Sequence, residues 1–258
     1  MAKKSSLAIR LDEARERIAR ACARARRDPR EVTLVAVTKS AAPEQIREIV
    51  QLGVGDLGES RVQVVVQRAG QVREFFTRRK GETDTGFPSR LRWHLIGHLQ
   101  RNKVKQVLPV VDYIHSVDSL RLAEELDAAA GKLGKRIPVM LQVNVSEEST
   151  KFGVAVGAAN HLAEQIDTMP NLQMSGLMTL APLVDDPEKA RPVFARLREI
   201  FEEMRWQKIG KGALNHLSMG MSNDFEVAIE EGATMVRLGT LLFGGEPHED
   251  HAADTPTE

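Results

Sequence analysis

A repeated alternation of short apolar runs and helical segments constrains the fold of this chain more than any other feature. Eight runs that read as β-strands are predicted, at residues 33–38, 56–59, 92–97, 113–117, 138–145, 172–180, 213–219 and 234–238. Each of the first seven is followed by a segment with helical periodicity, whereas no helix is predicted after the last. Such alternation indicates a parallel sheet, and eight units in a chain of 258 residues favour a single closed (β/α)8 TIM barrel.

The alternative architecture is an open, doubly wound sheet. That fold usually has fewer strands and a glycine-rich phosphate turn after the first one, whereas here the first strand ends in Thr38-Lys39-Ser40. We therefore predict three parts: a basic N-terminal helix packing on the barrel at 1–30, the barrel at 31–245, and a disordered acidic tail at 246–258. A polar segment at 80–90 is predicted to be a surface loop.

Charge and cysteine content narrow the classes of partner. The formal net charge is zero, so no global field would attract nucleic acid or an anionic membrane. Cys22 is the single cysteine, which fits a reducing compartment, and neither a signal peptide nor an apolar run long enough to span a bilayer is apparent. We expect a cytoplasmic protein without metal, because the seven histidines form no metal-binding spacing. His94 and His98 are expected to pack or to form rim hydrogen bonds.

Lys39 is the most informative residue at a strand end. In this fold the chemistry lies at the C-terminal ends of the strands, and Lys39 directly follows the first one. A lysine at the rim of a desolvated pocket can serve as a neutral amine and form a Schiff base. The alternative is a lysine that simply leaves the sheet for solvent.

Small and polar residues follow the last two strands, where barrels of this kind often bind phosphate. Ser218 and Gly220 end the seventh strand, and Gly239 and Thr240 follow the eighth. A lysine at strand one with a phosphate site there suggests a phosphorylated aldehyde such as pyridoxal 5′-phosphate (PLP). Arg237 is placed to face its ring nitrogen and, being cationic, would keep that nitrogen unprotonated. Alternatively, the glycines only make turns and Arg237 bridges acidic neighbours.

Eight segments of the chain resemble the PLP homeostasis family, whose members are similar to the N-terminal domain of alanine racemase. The segments are VAVTK (Val35–Lys39), LGESRVQ (Leu57–Gln63), WHLIGHLQRNK (Trp93–Lys103), HSVDS (His115–Ser119), VNVSEESTKFG (Val143–Gly153), GLMTL (Gly176–Leu180), LSMGMSNDFEVAI (Leu217–Ile229) and MVRLGTLLFG (Met235–Gly244). They occur in order over nearly the whole chain.

This resemblance implies a single barrel that carries PLP as an internal aldimine on Lys39. It implies that Arg237 faces the pyridine nitrogen and that the phosphate is held by Ser218, Gly220, Gly239 and Thr240. The chain departs from the family at Ser60, where members usually have asparagine after the glutamate of the second-strand turn. A hydroxyl there is shorter and would reach the cofactor through water.

The resemblance also implies storage or delivery of PLP and an influence on amino-acid and keto-acid pools, without a catalytic residue in this chain. Apo PLP-dependent enzymes are the candidate recipients. The alternative is a racemase-like PLP enzyme, which needs acid–base groups on both faces of the substrate. The chain ends soon after the eighth strand, and Tyr113 begins the fourth strand, at the far end of the barrel. We therefore favour a monomeric carrier.

A phosphate-sugar enzyme that uses Lys39 without PLP is the third possibility, and it would be colourless.

Overall fold

Nine strands and nine α-helices make up the part of the chain that the computed structural model describes, which is residues 4–79, 86–148 and 151–244. The strands are β1 (Thr33–Val37), β2 (Asp56–Glu59), β3 (Arg92–Leu95), β4 (Tyr113–Val117), β5 (Ile137–Asn144), β6 (Val154–Ala155), β7 (Leu172–Met178), β8 (His216–Ser218) and β9 (Met235–Leu238). The helices are α1 (Ser6–Arg24), α2 (Pro43–Gln51), α3 (Val62–Arg79), α4 (Val104–Val107), α5 (Leu120–Lys132), α6 (Val156–Asp167), α7 (Arg191–Trp206), α8 (Phe225–Glu230) and α9 (Thr240–Phe243).

The sheet closes on itself. Its order is β4-β3-β2-β1-β9-β8-β7-β5, all neighbours are parallel, and β4 also pairs with β5. A closed barrel of eight parallel strands with helices between them is therefore confirmed, and the open doubly wound alternative is excluded. Strand β6, which the periodicity did not predict, adds two residues beside the end of β5 by pairing with Val143 and Asn144.

Four elements of the structure differ from what the sequence predicts. The last strand is followed by a helix, α9, although none was predicted there. Strand β8 covers only His216–Ser218 because left-handed glycines at 210 and 212 turn the chain just before it. The helices that follow β3 and β7 both begin with a 3₁₀ turn, Arg101–Lys103 before α4 and Pro187–Ala190 before α7. Residues 80–85 of the predicted loop and the predicted tail at 246–258 lie outside the described residues.

Helix α1 lies against the barrel through one apolar face. Ser5 caps it, since its Oγ accepts a hydrogen bond from the amide of Ala8 at 3.1 Å. The buried residues recur at helical spacing and are Leu7, Leu11, Ala14, Ile18, Ala21 and Cys22. The helix contacts α8 and α9, and its basic side chains pair with acidic ones on α8, as Arg17 does with Glu226 at 3.0 Å. The basic residues at this end of the chain therefore serve packing contacts.

Two apolar clusters fill the molecule. The larger lies between the strands and the surrounding helices and includes Trp93, Phe194 and Phe225, each fully buried. The smaller is made by Val35, Met140, Met178 and Met235, which come from four different strands. Because side chains of a strand alternate between its faces, these four fill the interior of the barrel. Within the described residues, no helix is both long enough and apolar enough to cross a membrane.

Candidate functional site

Lys39 lies in a tight turn directly after β1. The amide of Thr38 donates to the carbonyl of Gly58 on β2 at 2.9 Å, so the strand continues one residue beyond its assigned end. The amide of Ala41 then donates to the carbonyl of Thr38 at 2.9 Å and closes the turn that carries Lys39. The turn is therefore anchored to the barrel on both sides of the lysine.

A buried ion pair supports the same turn. Glu59, 1% exposed, accepts from the hydroxyl of Thr38 at 2.9 Å and from Nη1 of Arg68 on α3 at 2.8 Å. Arg68 also donates to the carbonyls of Thr38 and Ala41. Sequence reasoning missed Arg68, because it appears there as one of several charged residues on an amphipathic helix. Together the pair fixes the backbone on which Lys39 stands.

Arg237 is a buried cation whose partners are neutral. It is 3% exposed, its Nη1 donates to the hydroxyl of Ser218 at 2.7 Å, and its Nη2 donates to the carbonyl of Thr179 at 2.9 Å. Burial lowers the pKa of Arg237 to about 10, so it remains charged at neutral pH. Among the described residues no carboxylate lies within ion-pair distance of it, and the expected alternative of a bridge between acidic neighbours is not seen there.

Strand register brings Arg237 and Lys39 to one region of the barrel. Strands β1 and β9 are neighbours, and Val35 pairs with Arg237. Lys39 stands four positions beyond Val35, in the direction in which both strands run. An ideal Cβ on Gly239 would lie 3.4 Å from the carbonyl oxygen of Val37, so the end of β9 packs closely on the end of β1.

The glycines after β8 and β9 allow close packing of the loops. Gly220 has a φ of 92°, and an added Cβ would lie only 2.6 Å from the Cβ of Ala228 on α8. Its carbonyl accepts from the amide of Arg237 at 3.0 Å, which ties this loop to β9. The carbonyl of Gly239 accepts from the amides of Leu242 and Phe243. Both glycine carbonyls are thus directed into the protein.

The side chain of Ser218 contacts Arg237 and His115. It is fully buried, and its hydroxyl lies between Nη1 of Arg237, at 2.7 Å, and Nδ1 of His115, at 2.9 Å. Both sides of the hydroxyl therefore have partners within the protein. Its direct partner is the guanidinium of Arg237.

His94 and His98 have different environments. His94 is fully buried, its ring stacks on Tyr113 with a centroid distance of 4.8 Å, and its Nε2 lies 2.9 Å from Asp56. His98 lies at the rim, where Nδ1 is 3.1 Å from the carboxylate of Asp118 and the ring stacks on Phe152. Within the described part of the chain, no group of three or more metal-ligating side chains is found.

Ser60 follows β2 beside the end of β3. Its amide donates to Oε1 of Glu59 at 2.9 Å, and an added Cβ on Gly97 would lie 2.2 Å from the carbonyl oxygen of Ser60. Gly97 is therefore required for the close approach of these two strand ends. Ser60 is half-buried there, on the same end of the barrel as Lys39.

Comparison with known proteins identifies the family. The sequence model described as "Alanine racemase, N-terminal domain" matches residues 9–247. A protein of Aquifex aeolicus named pyridoxal phosphate homeostasis protein is 44% identical over 235 residues, which cover 91% of this chain and 96% of that protein. The chain belongs to the pyridoxal phosphate homeostasis protein family.

Solved structures agree with this membership in the family. PipY of Synechococcus elongatus, solved with PLP bound, is 35% identical and superposes with a TM-score of 0.70, covering 88% of this chain and 100% of its own. An alanine racemase of Clostridium difficile has a TM-score of 0.67 at 17% identity, which shows a shared fold alone. This chain covers 95% of its own length but only 58% of that racemase. The pyridoxal phosphate homeostasis proteins thus share the barrel of the racemases.

Proposed function

We propose that this chain binds PLP through Lys39 and acts as a carrier in PLP homeostasis. The observation that carries the proposal is Arg237, a buried guanidinium held by two neutral acceptors on the strand beside β1. A guanidinium has five N–H donors, and these two contacts use two of them. Membership in a family of PLP homeostasis proteins, one of which was solved with PLP, supports this ligand.

Each end of the ligand has a proposed partner. The amine of Lys39 condenses with the PLP aldehyde, forming a carbon–nitrogen double bond and releasing one water. The guanidinium of Arg237 donates to the ring nitrogen and keeps it unprotonated, because an arginine does not give up its proton at neutral pH. When bound, PLP supplies an electron sink, which an unprotonated ring nitrogen weakens. This arrangement favours holding the cofactor over catalysing turnover.

The phosphate is proposed to lie at the loops after β8 and β9. Backbone amides of Gly220, Gly239 and Thr240, with the Thr240 hydroxyl, are the proposed donors, since both glycine carbonyls have partners within the protein. Ser218 belongs to the site through its contact with Arg237. Ser60 is the proposed water-mediated contact near the ring.

The structure offers little support for the racemase-like alternative. Racemisation needs a second acid–base group facing the lysine across the substrate. Tyr113 begins β4 and stacks on buried His94, which itself bonds the first residue of β2. That contact occupies the opposite end of the barrel from Lys39.

We further propose a cytoplasmic monomer that delivers PLP to apo enzymes and binds neither nucleic acid nor membrane.

Visible absorption of the purified protein titrated with PLP tests the proposal. Wild type is expected to develop the band of a protein-bound Schiff base, and borohydride reduction should place the added mass on the peptide that contains Lys39. Lys39→Ala is expected to lose both signals. Lys151→Ala is the matched control, because Lys151 also lies near the C-terminal ends of the strands and pairs with Glu148 at 2.8 Å. A colourless wild type would favour the phosphate-sugar reading, and a band unchanged in Lys39→Ala would overturn the attachment site.

A further inference from the structure

A continuous hydrogen-bond chain crosses the interior of the barrel and ends at Arg237. Asp56 Oδ1 lies 2.9 Å from His94 Nε2, and His94 Nδ1 lies 2.9 Å from His115 Nε2. His115 Nδ1 lies 2.9 Å from the Ser218 hydroxyl, which is 2.7 Å from Nη1 of Arg237. All five residues are at most 9% exposed, although Asp56 and Ser218 are separated by 162 positions in the sequence (218 − 56).

With a neutral His94 ring, the carboxylate at one end fixes the direction of every bond. An ionised carboxylate can only accept, so His94 donates to Asp56 through Nε2–H, and in a neutral ring its Nδ1 then accepts. His115 therefore donates through Nε2–H and accepts at Nδ1 from the hydroxyl of Ser218. Burial, together with nearby charges, lowers the pKa of His115 well below its usual 6.5, which keeps this ring neutral. The Ser218 proton thus points away from Arg237, and an oxygen lone pair faces the guanidinium.

Asp56 is held as the terminal acceptor by a second group. Arg92 donates through Nη2 to Oδ2 of Asp56 at 2.8 Å, and its Nε lies 2.7 Å from Oδ1, the oxygen that His94 also contacts. Although burial raises the pKa of Asp56, the hydrogen bonds from His94 and Arg92 outweigh it and leave the pKa below its usual value. The acceptor end of the chain therefore stays ionised, and the direction of the bonds is maintained.

We propose that Asp56, His94 and His115 are positioning residues that act through Ser218 to aim Arg237 at the ring nitrogen of PLP. The inference rests on the proposed function. A hydroxyl free to rotate would present either its proton or its lone pair to the guanidinium, and the proton would repel it. A fixed lone pair, with the carbonyl of Thr179 as the second acceptor, holds the guanidinium plane in one orientation. The remaining N–H donors then meet the ring nitrogen in a constant geometry.

The contribution of this hydrogen-bond chain to PLP binding can be separated from its contribution to the stability of the protein by comparing two ligands. The probe is the benzene analogue of PLP, in which C–H replaces the ring nitrogen while the aldehyde, hydroxyl and phosphate are kept. Wild type is expected to bind PLP about tenfold or more tightly than this analogue, because a hydrogen bond from a charged donor is lost. The dissociation constants of both ligands are measured by absorption titration for each variant.

His115→Phe keeps a buried aromatic ring but breaks the chain at its centre. We expect it to reduce the preference for PLP to less than about threefold, with little change in affinity for the analogue. His115→Gln, whose amide offers one donor and one acceptor, should recover part of the preference. Ser175→Ala is the matched control, since it removes another buried strand hydroxyl, one that bonds the carbonyl of Val139, and should keep the wild-type preference.

The possible outcomes distinguish a failure of this inference from a failure of the proposed function. Equal loss of affinity for both ligands in His115→Phe would mean a merely structural role and would overturn the inference alone. A wild type that binds no PLP would overturn the proposed function as well. If His115→Phe does not fold, Asp56→Asn, at the other end of the hydrogen-bond chain from Arg237, is tested instead. It too is expected to reduce the preference for PLP over the analogue, and an unchanged preference would overturn the inference.

Discussion

Nη1 of Arg68 lies 2.8 Å from Oε2 of Glu59, and this ion pair holds the turn that contains Lys39. The carboxylate of Glu59 is 1% exposed, whereas the Arg68 side chain is 21% exposed. Removing the arginine would therefore leave a buried charge without its cation, and two backbone carbonyls of the turn would lose their donor.

Arg68→Met is accordingly expected to lower the free energy of unfolding by about 3 kcal/mol, as breaking a buried ion pair does. It should also weaken PLP binding, because the Lys39 turn loses its support. Arg78→Met on the same helix is the control: Arg78 pairs with Glu74, both side chains are more than half exposed, and a loss below about 0.5 kcal/mol is expected. Urea unfolding measures both, and equal losses would contradict the role of the buried pair.

Gly220 is expected to tolerate alanine far less than another left-handed glycine. Gly212 has a φ of 88° with no atom within 4 Å of an added Cβ, so Gly212→Ala should cost about 1 kcal/mol from backbone conformation alone. At Gly220 the φ is 92° and the Cβ would lie 2.6 Å from Ala228. We expect Gly220→Ala to cost at least about 2 kcal/mol more, from overpacking. Chemical denaturation of the two variants checks this, and similar values would mean that the loop yields easily.

Stability should fall as the pH drops below about 6.5, where histidines of the unfolded chain take up protons. Burial lowers the pKa of His115 well below 6.5 and also lowers that of His216, so both rings take up protons at a lower pH in the folded protein than in the unfolded chain. The unfolded state then binds more protons, and its stabilisation at pH 5.5 is about 1.4 kcal/mol per fully suppressed histidine. His115→Phe should remove one such contribution, so its unfolding free energy should vary less between pH 7.5 and 5.5. A dependence identical to wild type would mean that the pKa of His115 is the same in the folded and the unfolded protein.

The positions of residues at the strand ends could be predicted because the order of strands in a barrel determines which strand ends are neighbours. Once eight alternating units were counted, Lys39 and Arg237 had to lie at neighbouring strands, and β1 and β9 do pair. The bonds among Asp56, His94 and His115 could not be predicted in this way. These residues lie on the neighbouring strands β2, β3 and β4, and strand alternation tells only which face of the sheet a side chain is on. Which side-chain atoms meet depends on the register between the strands, which alternation does not fix.

For Ser218, likewise, the position of the residue could be predicted from the sequence, but the direction of its hydroxyl could not. Its location at the end of β8 was predicted, and so was its proximity to a site containing Arg237. The direction of its hydroxyl depends on His115, which is 103 positions earlier in the chain. Similarly, the shortened β8 follows from two left-handed glycines, whose conformation the apolar run at 213–219 does not reveal.

Because Cys22 is buried in α1, the rate at which its thiol reacts with a reagent reports how often this helix opens. Its thiol is the single one in the chain, is completely covered, and has a pKa raised by burial. A thiol reagent can therefore react only after the part of α1 that covers Cys22 opens, so the labelling rate reports these opening events instead of surface encounters. Opening of this helix can thus be followed in the intact protein without introducing a cysteine by mutation.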